Sequence, residues 1–283
     1  MIRRAETWAD FELCARIKNT VEPGRPIAAE EVRDAPGARL LLQGEAGYAI
    51  VKESSLAGCA FTMVRVLQEE RCQGVGSALL SACSEEALAL GKDALYGHVQ
   101  GDDPESLAFL ERRGFVVVSQ DVEQIRELGD EPAPEPPEGI ELAELRPEHL
   151  DGVYAVAVEA TPDMAIEASI AAAPYERWLA EMKGRIVVVA LEGAHVVGFA
   201  TLVPRAAQPD TLEHELTGVL RSHRRRGIAE ALKREQISWA AAHSYRRLIT
   251  WTQEGNDAMR SLNLKLGYRE RLAELSLKGP LRP

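Results

Sequence analysis

Residues 71–79, Arg-Cys-Gln-Gly-Val-Gly-Ser-Ala-Leu, and residues 224–232, Arg-Arg-Arg-Gly-Ile-Ala-Glu-Ala-Leu, are two copies of one short pattern. Both fit Arg-x-x-Gly-x-(Gly/Ala), both follow an extended apolar stretch, and both open a long amphipathic helix. The same spacing of 153 residues relates four further matches. These are Val66 with Val219, Leu95 with Leu248, Asp103 with Asn256, and Gly114-Phe115 with Gly267-Tyr268. A spacing that holds over about fifty residues indicates an internal duplication, with a repeat of roughly 140 residues.

Length and composition agree with two folded repeats. The 283 residues suit two domains of ordinary size, and 46% hydrophobic residues allow each half a core. The net charge of −11 opposes binding to a nucleic-acid backbone and favours a cationic or neutral substrate. No apolar run of about eighteen residues occurs, and residues 1–6 lack a signal-peptide core. We therefore expect a soluble, cytoplasmic protein without nucleic-acid or membrane partners; the oligomeric state stays open.

All four cysteines lie in the first half: Cys14, Cys59, Cys72 and Cys83. They show neither a Cys-x-x-Cys pair nor the histidine-flanked spacing typical of metal ligands. We predict small buried hydrophobic residues, with no disulfide and no metal site.

A segment with four prolines separates the two repeats. Residues 130–139 read Asp-Glu-Pro-Ala-Pro-Glu-Pro-Pro-Glu-Gly, and such a segment stays extended. The predicted domains are therefore 1–129 and 140–283, joined by the linker 130–139. The second repeat is longer by about fifteen residues before its glycine loop, and alanine-rich Met164–Ala173 is the predicted insertion.

Hydrophobic periodicity predicts an α/β (α+β) fold in both repeats, with the order β-α-α-β-β-β-α-β-α-β. After an opening strand at Ile140, the second repeat continues with short elements and one long helix. The predicted elements are helices 150–159 and 175–182, strands 186–191, 196–203 and 211–220, helix 227–243, strand 247–252, helix 256–266, and a closing strand 272–277. The first repeat follows the same order and ends in a predicted strand 115–119.

The junction between strand and helix is the candidate binding site. Gly74 and Gly227 allow a tight turn and a close approach of backbone to ligand. Successive amides at the start of a helix form a concave nest at the positive end of the helix dipole. Arginines stand beside both glycines, so the arrangement suits a pyrophosphate. These are Arg71, Arg224, Arg225 and Arg226.

Both repeats resemble the GNAT superfamily of acetyl-CoA-dependent acetyltransferases. The resemblance runs through residues 219–229 and 256–268 and their counterparts in the first repeat. It implies two tandem GNAT folds, each a mixed, mostly antiparallel twisted sheet flanked by helices. The tandem layout is similar to that of mycothiol synthase-like proteins.

The resemblance also implies acetyl-CoA as cosubstrate, with its pyrophosphate on the loop amides and its pantetheine arm along the preceding strand. The implied contacts in the second repeat are Val219, Leu220, Arg221, Arg224, Arg225, Arg226, Gly227, Ile228, Ala229, Asn256 and Asn263. Those in the first are Val66, Arg71, Cys72, Gln73, Gly74, Val75 and Gly76. Asn256 has an alternative role as the N-cap of its helix.

Candidate catalytic residues differ between the repeats. Acetyl transfer to an amine needs a base, and some superfamily members hold a glutamate fourteen residues before the first loop glycine. That count from Gly227 reaches Glu213, with Glu215 next on the same strand. The same count from Gly74 reaches Ala60, followed by Thr62, so only the second repeat has acidic candidates.

The proton donor expected from the resemblance is missing. Many members carry a tyrosine on the helix before the terminal Gly-Phe or Gly-Tyr, and the matching positions here are Leu110 and Asn263. Leucine has no proton to give, and an amide does not deliver one at neutral pH.

The sequence thus favours an acetyl-CoA-dependent N-acetyltransferase that acts on an amine of a small molecule by direct attack in a ternary complex. The second repeat is the expected catalytic one, and the first is expected to bind the cosubstrate silently. Two alternatives remain open at this stage: a non-catalytic acyl-CoA-binding sensor, and a mycothiol synthase-like acetyltransferase.

Overall fold

The computed structural model describes residues 1–54, 56–163 and 173–281. The chain forms two compact units. Unit 1 comprises Met1–Gln120 together with the residues from Ala273 onward, and unit 2 comprises Asp121–Leu272. Most of the predicted insertion, 164–172, lies outside the described residues.

Unit 1 has the predicted order of elements. Its strands are β1 (Ile2–Arg4), β2 (Arg39–Gln43), β3 (Gly47–Glu53), β4 (Cys59–Val66), β5 (Ala94–Gln100) and the start of β6 (Val116–Glu127). Its helices are α1 (Trp8–Val21), α2 (Ala29–Arg33), α3 (Val75–Ala89) and α4 (Pro104–Glu111). Strands β1 to β4 pair antiparallel in chain order, and β4 then pairs parallel with β5. Helix α3 buries Leu79 and Leu80 in one core, and α1 buries Ile17 in another.

Unit 2 repeats this order. Its strands are β7 (Glu141–Glu144), β8 (Ile186–Glu192), β9 (His195–Pro204), β10 (Thr211–Val219), β11 (Arg247–Gln253) and the start of β12 (Arg269–Pro280). Its helices are α5 (Leu150–Ala160), α6 (Tyr175–Glu181), α7 (Ile228–Ala242) and α8 (Asp257–Lys265). Strands β7 to β10 pair antiparallel and β10 pairs parallel with β11. Mixed, largely antiparallel sheets flanked by helices are therefore confirmed.

The last strands do not close the sheets in the way that the sequence predicted. Residues 121–127 of β6 pair antiparallel with β11 inside unit 2, and residues 274–280 of β12 pair antiparallel with β5 inside unit 1. The predicted strand 115–119 continues to Glu127 because residues 121–127 pair with β11, where polar Glu123 and Gln124 are completely buried. The packed units thus differ from the predicted domains 1–129 and 140–283, which describe the repeat in the sequence.

The burial of the cysteines differs from the prediction at one position. Cys14, Cys59 and Cys83 are buried, but Cys72 is exposed, so the prediction of four buried cysteines is wrong at the glycine loop.

In the part of the chain that the structure describes, no helix combines the length and the apolar composition needed to cross a bilayer.

Candidate functional site

Strands β10 and β11 begin as a parallel pair and then separate. Their pairing runs from Thr211 opposite Arg247 to His214 opposite Thr250 and stops there, although β10 continues to Val219. A bulge accompanies the separation. His214 lies opposite Leu202 of β9, whereas Thr217 lies opposite Ala200, so β10 has one extra residue. Bulges bend a strand and re-aim its side chains, and this one helps to open the gap.

A cleft of about 510 Å³ occupies this gap in unit 2. Its lining includes residues of the separated ends of both strands, together with side chains from α5, α6 and α7. The buried lining residues mark its floor, and they include Thr201, Lys233, Thr250 and Thr252. Exposed Glu181 and Glu215 mark its mouth.

The bulge changes the correspondence between the repeats. Thr211 and Cys59 both begin the parallel pairing, so residues before the bulge correspond at a spacing of 152 rather than 153. Glu213 therefore matches Phe61, and the predicted match with Ala60 is wrong by one residue. No register shift interrupts the pairing of β3 with β4. The bulge is thus a feature of unit 2, and unit 1 still has no carboxylate at this position.

Glu213 lies beside the cleft but does not line it in the described structure. Its carboxylate accepts a hydrogen bond from Arg205 at 2.6 Å. Burial raises the pKa of Glu213, although the positive charge of Arg205 acts in the opposite direction.

Glu215 lines the cleft. Both of its carboxylate oxygens accept hydrogen bonds from Arg185, at 2.5 and 2.8 Å. The Glu215 side chain is 42% exposed, so solvent and a ligand have access to the carboxylate. Of the two predicted carboxylates, Glu215 is the one that the structure places in the cleft.

The two glycine loops share one backbone conformation. Cys72 and Gly74 have φ angles of +60° and +85°, and Arg225 and Gly227 have φ angles of +64° and +80°. Left-handed residues in alternation with right-handed ones turn successive amides to one side, which is the geometry of an anion nest. Helices α3 and α7 begin directly after these glycines, with Gly74 and Gly227 as N-caps. Both loops therefore have the backbone conformation that such a nest requires, and anion binding there stays a prediction.

Side chains at the two loops differ in charge and in partners. In unit 2, Arg224, Arg225 and Arg226 are exposed, and Arg226 forms an ion pair with Glu192 at 2.7 Å. In unit 1, Arg71 lies 3.3 Å from Glu105 and 3.6 Å from Asp103. The loop of unit 2 thus presents a more positive surface to an anion than the loop of unit 1.

The remaining predicted contacts differ in how far they are buried. Ile228 and Val75 are buried in the core, so only their backbone atoms face a ligand. Val219 is buried at the end of β10, and its carbonyl accepts a hydrogen bond from Arg224. The other predicted contacts are exposed or partly exposed: Leu220, Arg221 and Ala229 in unit 2, and Val66, Cys72, Gln73 and Gly76 in unit 1.

Asn263 is completely buried outside the cleft lining. Its amide donates hydrogen bonds to Gln124 at 2.8 Å and to Thr252 at 3.2 Å. The residue at the position of the missing tyrosine thus anchors α8 to two strands.

Asn256 has the capping role that the sequence left open. Its side chain accepts a hydrogen bond from the backbone of Met259 at 3.3 Å, and the residue also lines the cleft. The cosubstrate contact remains a prediction.

Asn256→Asp separates the two roles. Aspartate caps a helix as well as asparagine does, and Asp103 caps α4 in unit 1, so stability should be unchanged. The new charge should weaken acetyl-CoA binding by about tenfold, or about 1.4 kcal/mol. Asn256→Ala should instead cost about 1 kcal/mol of stability. Calorimetry and denaturant unfolding measure the two effects, and equal affinities of the unaltered and Asn256→Asp proteins would leave Asn256 as a cap alone.

Lys233 is the cleft residue that the sequence prediction missed. It lies on α7, is 2% exposed, and lines the cleft. Burial lowers the pKa of Lys233 to about 7. The sequence carries a signal for it, because Lys233 occupies the apolar face of the helix with Ile237 and Ala240 at i+4 and i+7.

The family follows from comparison of the whole sequence. The model of the acetyltransferase (GNAT) family matches residues 7–115 and again residues 150–268. This chain belongs to the GNAT acetyltransferase family. GNAT proteins generally use acetyl-CoA, and the positive nest of unit 2 fits its pyrophosphate.

Similar proteins include one curated acetyltransferase and two solved structures of acetyltransferases. A mycothiol acetyltransferase from Catenulispora acidiphila is 36% identical over 112 residues, which are 38% of this chain and 35% of that protein. The match thus spans about a third of the relative. A GCN5-related N-acetyltransferase from Sphaerobacter thermophilus superposes with a TM-score of 0.83 at 22% identity, covering 100% of this chain and 96% of that one. A tandem GNAT protein from the clavulanic acid biosynthesis pathway has a TM-score of 0.78 at 18% identity, covering 100% and 99%. These two structures support the tandem GNAT fold.

Proposed function

We propose that unit 2 transfers an acetyl group from acetyl-CoA to an amine of a small molecule, by direct attack in a ternary complex. The observation that carries this proposal is the cleft between the separated strands β10 and β11, with acidic side chains at its mouth. The pantetheine arm of acetyl-CoA contains amide groups. It fits a gap between strands because backbone groups along the separated strand ends can form hydrogen bonds with these amides. The positively charged loop at the start of α7 would bind the pyrophosphate of acetyl-CoA.

Glu215 is the proposed base. It lines the cleft and is exposed, whereas Glu213 is held by Arg205 outside the lining. Because Arg185 binds both oxygens of Glu215, the pair holds the carboxylate in one orientation at the mouth. In this position Glu215 attracts an ammonium substrate and takes the proton from the amine as it attacks, directly or through a water.

We propose that unit 1 keeps the anion-binding glycine loop but does not catalyse acetyl transfer. Arg65 of β4 is buried where the matching residue of β10 is Gly218. Its guanidinium donates to Glu22 at 2.6 Å, and Lys18 lies 3.2 Å from the same carboxylate. A second carboxylate of unit 1, Glu274, accepts a hydrogen bond from Arg25 at 2.9 Å. Largely buried ion pairs thus surround Arg65 in unit 1, at the position that corresponds to Gly218 of β10.

The alternative of an acyl-CoA sensor draws on the burial of Asn263, which leaves the tyrosine position without a proton donor. Release of free thiol from acetyl-CoA separates the two functions. The full-length protein should release thiol in the presence of at least one member of a panel of small primary amines, and mass spectrometry should show the acetylated amine. Binding of acetyl-CoA without thiol release from any amine would support the sensor instead.

A further inference from the structure

Lys233 combines burial with access to the cleft. It is 2% exposed, yet it lines the cleft together with Thr201, Thr250 and Thr252. A lysine is almost never fully buried unless a partner compensates its charge. Its position therefore calls for an explanation other than the stability of the fold.

No anionic partner compensates Lys233 in the part of the chain that the structure describes. Its ammonium nitrogen lies 5.7 Å from the centre of the Tyr268 ring, and desolvation by burial lowers its pKa. Glu230, which lies one turn earlier on the same helix, is bound by Lys265 and Arg234. The ammonium of Lys233 is thus available to a ligand in the cleft.

Two titratable groups near Lys233, His214 and Tyr268, are neutral at neutral pH. Burial, followed by the charge of Lys233, holds the pKa of His214 well below its usual range. His214 shares a hydrogen bond of 2.5 Å with Tyr268, and burial raises the pKa of Tyr268. Both groups therefore stay neutral at neutral pH, whereas Lys233 titrates in that range.

The matching residue of unit 1 is Leu80, which is buried in an apolar core. The lysine is therefore confined to the unit that has the bulge and the acidic mouth. Leu110 and Asn263 leave the reaction without a donor for the departing thiolate, and Lys233 is the cleft residue that has a proton to give at neutral pH.

We propose that Lys233 is the proton donor to the CoA sulfur in the acetyl transfer of unit 2. This inference rests on the proposed function. The amine nitrogen attacks the thioester carbon, a C–N bond forms, and the C–S bond breaks with its electron pair on sulfur. The proton of the amine passes to Glu215, and the ammonium of Lys233 protonates the sulfur. Solvent then takes the proton from Glu215 and returns one to Lys233, so an amine and a thioester give an amide and a thiol.

The test uses Lys233→Met, which keeps the length of the side chain and removes its charge. The variant should fold and be more stable at neutral pH, because a buried ammonium without a partner costs stability. Lys265→Met is the matched control, since Lys265 is an exposed lysine on α8. Turnover with a reactive amine should fall about a hundredfold in Lys233→Met, with acetyl-CoA affinity changed by less than about threefold.

A second measurement needs no acceptor. CoA is bound to full-length protein that carries Gly74→Glu, and the thiolate absorbance is followed against pH with desulfo-CoA as the blank. Because the ammonium of Lys233 and a neighbouring thiolate stabilise each other, the bound thiolate should appear at a pH lower by about one unit or more than in Lys233→Met. Equal thiol titrations in the two proteins would overturn the role of Lys233 while leaving acetyl transfer intact. Failure of CoA to bind at all would overturn both proposals.

Discussion

Turnover of the Glu215→Gln protein should fall by about a hundredfold or more, with little change in the affinity for acetyl-CoA. Glutamine keeps the size of the side chain and one oxygen for Arg185, but it does not accept a proton from the attacking amine. The deficit should shrink as the pH rises, because more of the amine is then deprotonated without help. Steady-state rates measured from about pH 6 to about pH 10 report both effects.

Glu213→Gln is the matched control for this experiment. Both residues lie on β10 and both are bound by an arginine, but only Glu215 lines the cleft. The control should therefore keep most of the turnover. A large loss in Glu213→Gln with normal rates in Glu215→Gln would reverse the assignment and restore the residue that spacing alone favours.

Gly227→Glu should lower the affinity for acetyl-CoA by at least about a hundredfold, or about 2.7 kcal/mol. The carboxylate would enter the nest intended for phosphate, and the φ angle of +80° is unfavourable for any side chain. Space alone does not forbid the substitution, since the nearest atom to a Cβ at this position is 3.6 Å away, in Pro137. The protein should therefore fold, and calorimetry with the Gly74→Glu background measures binding to unit 2 alone.

Gly74→Glu by itself is the matching variant in unit 1. Its φ angle is +85° and no atom lies within 4 Å of a Cβ there, so strain and space are nearly the same. Turnover should be largely retained because unit 1 lacks a carboxylate and a lysine at the corresponding positions. Loss of activity in Gly74→Glu with normal activity in Gly227→Glu would place the chemistry in unit 1.

Local patterns in the sequence predicted most elements of the fold. The apolar run Ile186–Glu192 and the long amphipathic stretch Ile228–Ala242 form the expected strand and helix. The glycine loops were also predictable, because the need for positive φ and exposed amides restricts the residue types at Gly74 and Gly227. Periodicity and turn chemistry are local properties, and a single sequence reports them directly.

Features that depend on tertiary pairing were missed. The bulge after His214 adds one residue to β10, and no residue type marks it in advance. Polar Glu123 and Gln124, which are completely buried, concealed the continuation of β6 beyond the predicted strand 115–119. The arginine partners of Glu213 and Glu215 were also missed, and Arg185 lies 30 residues from Glu215 in the sequence.

The sequence ranges of the two units determine the order in which their sheets can be completed during synthesis. Unit 2 is one continuous stretch, Asp121–Leu272, and all its strands are available once those residues have been synthesised. In unit 1, β5 has β4 on one side and residues 274–280 on the other. A ribosome must therefore translate the whole of unit 2 before the sheet of the earlier unit acquires its last strand. Until then one edge of β5 has no strand partner, and such an edge is a site where another chain can pair.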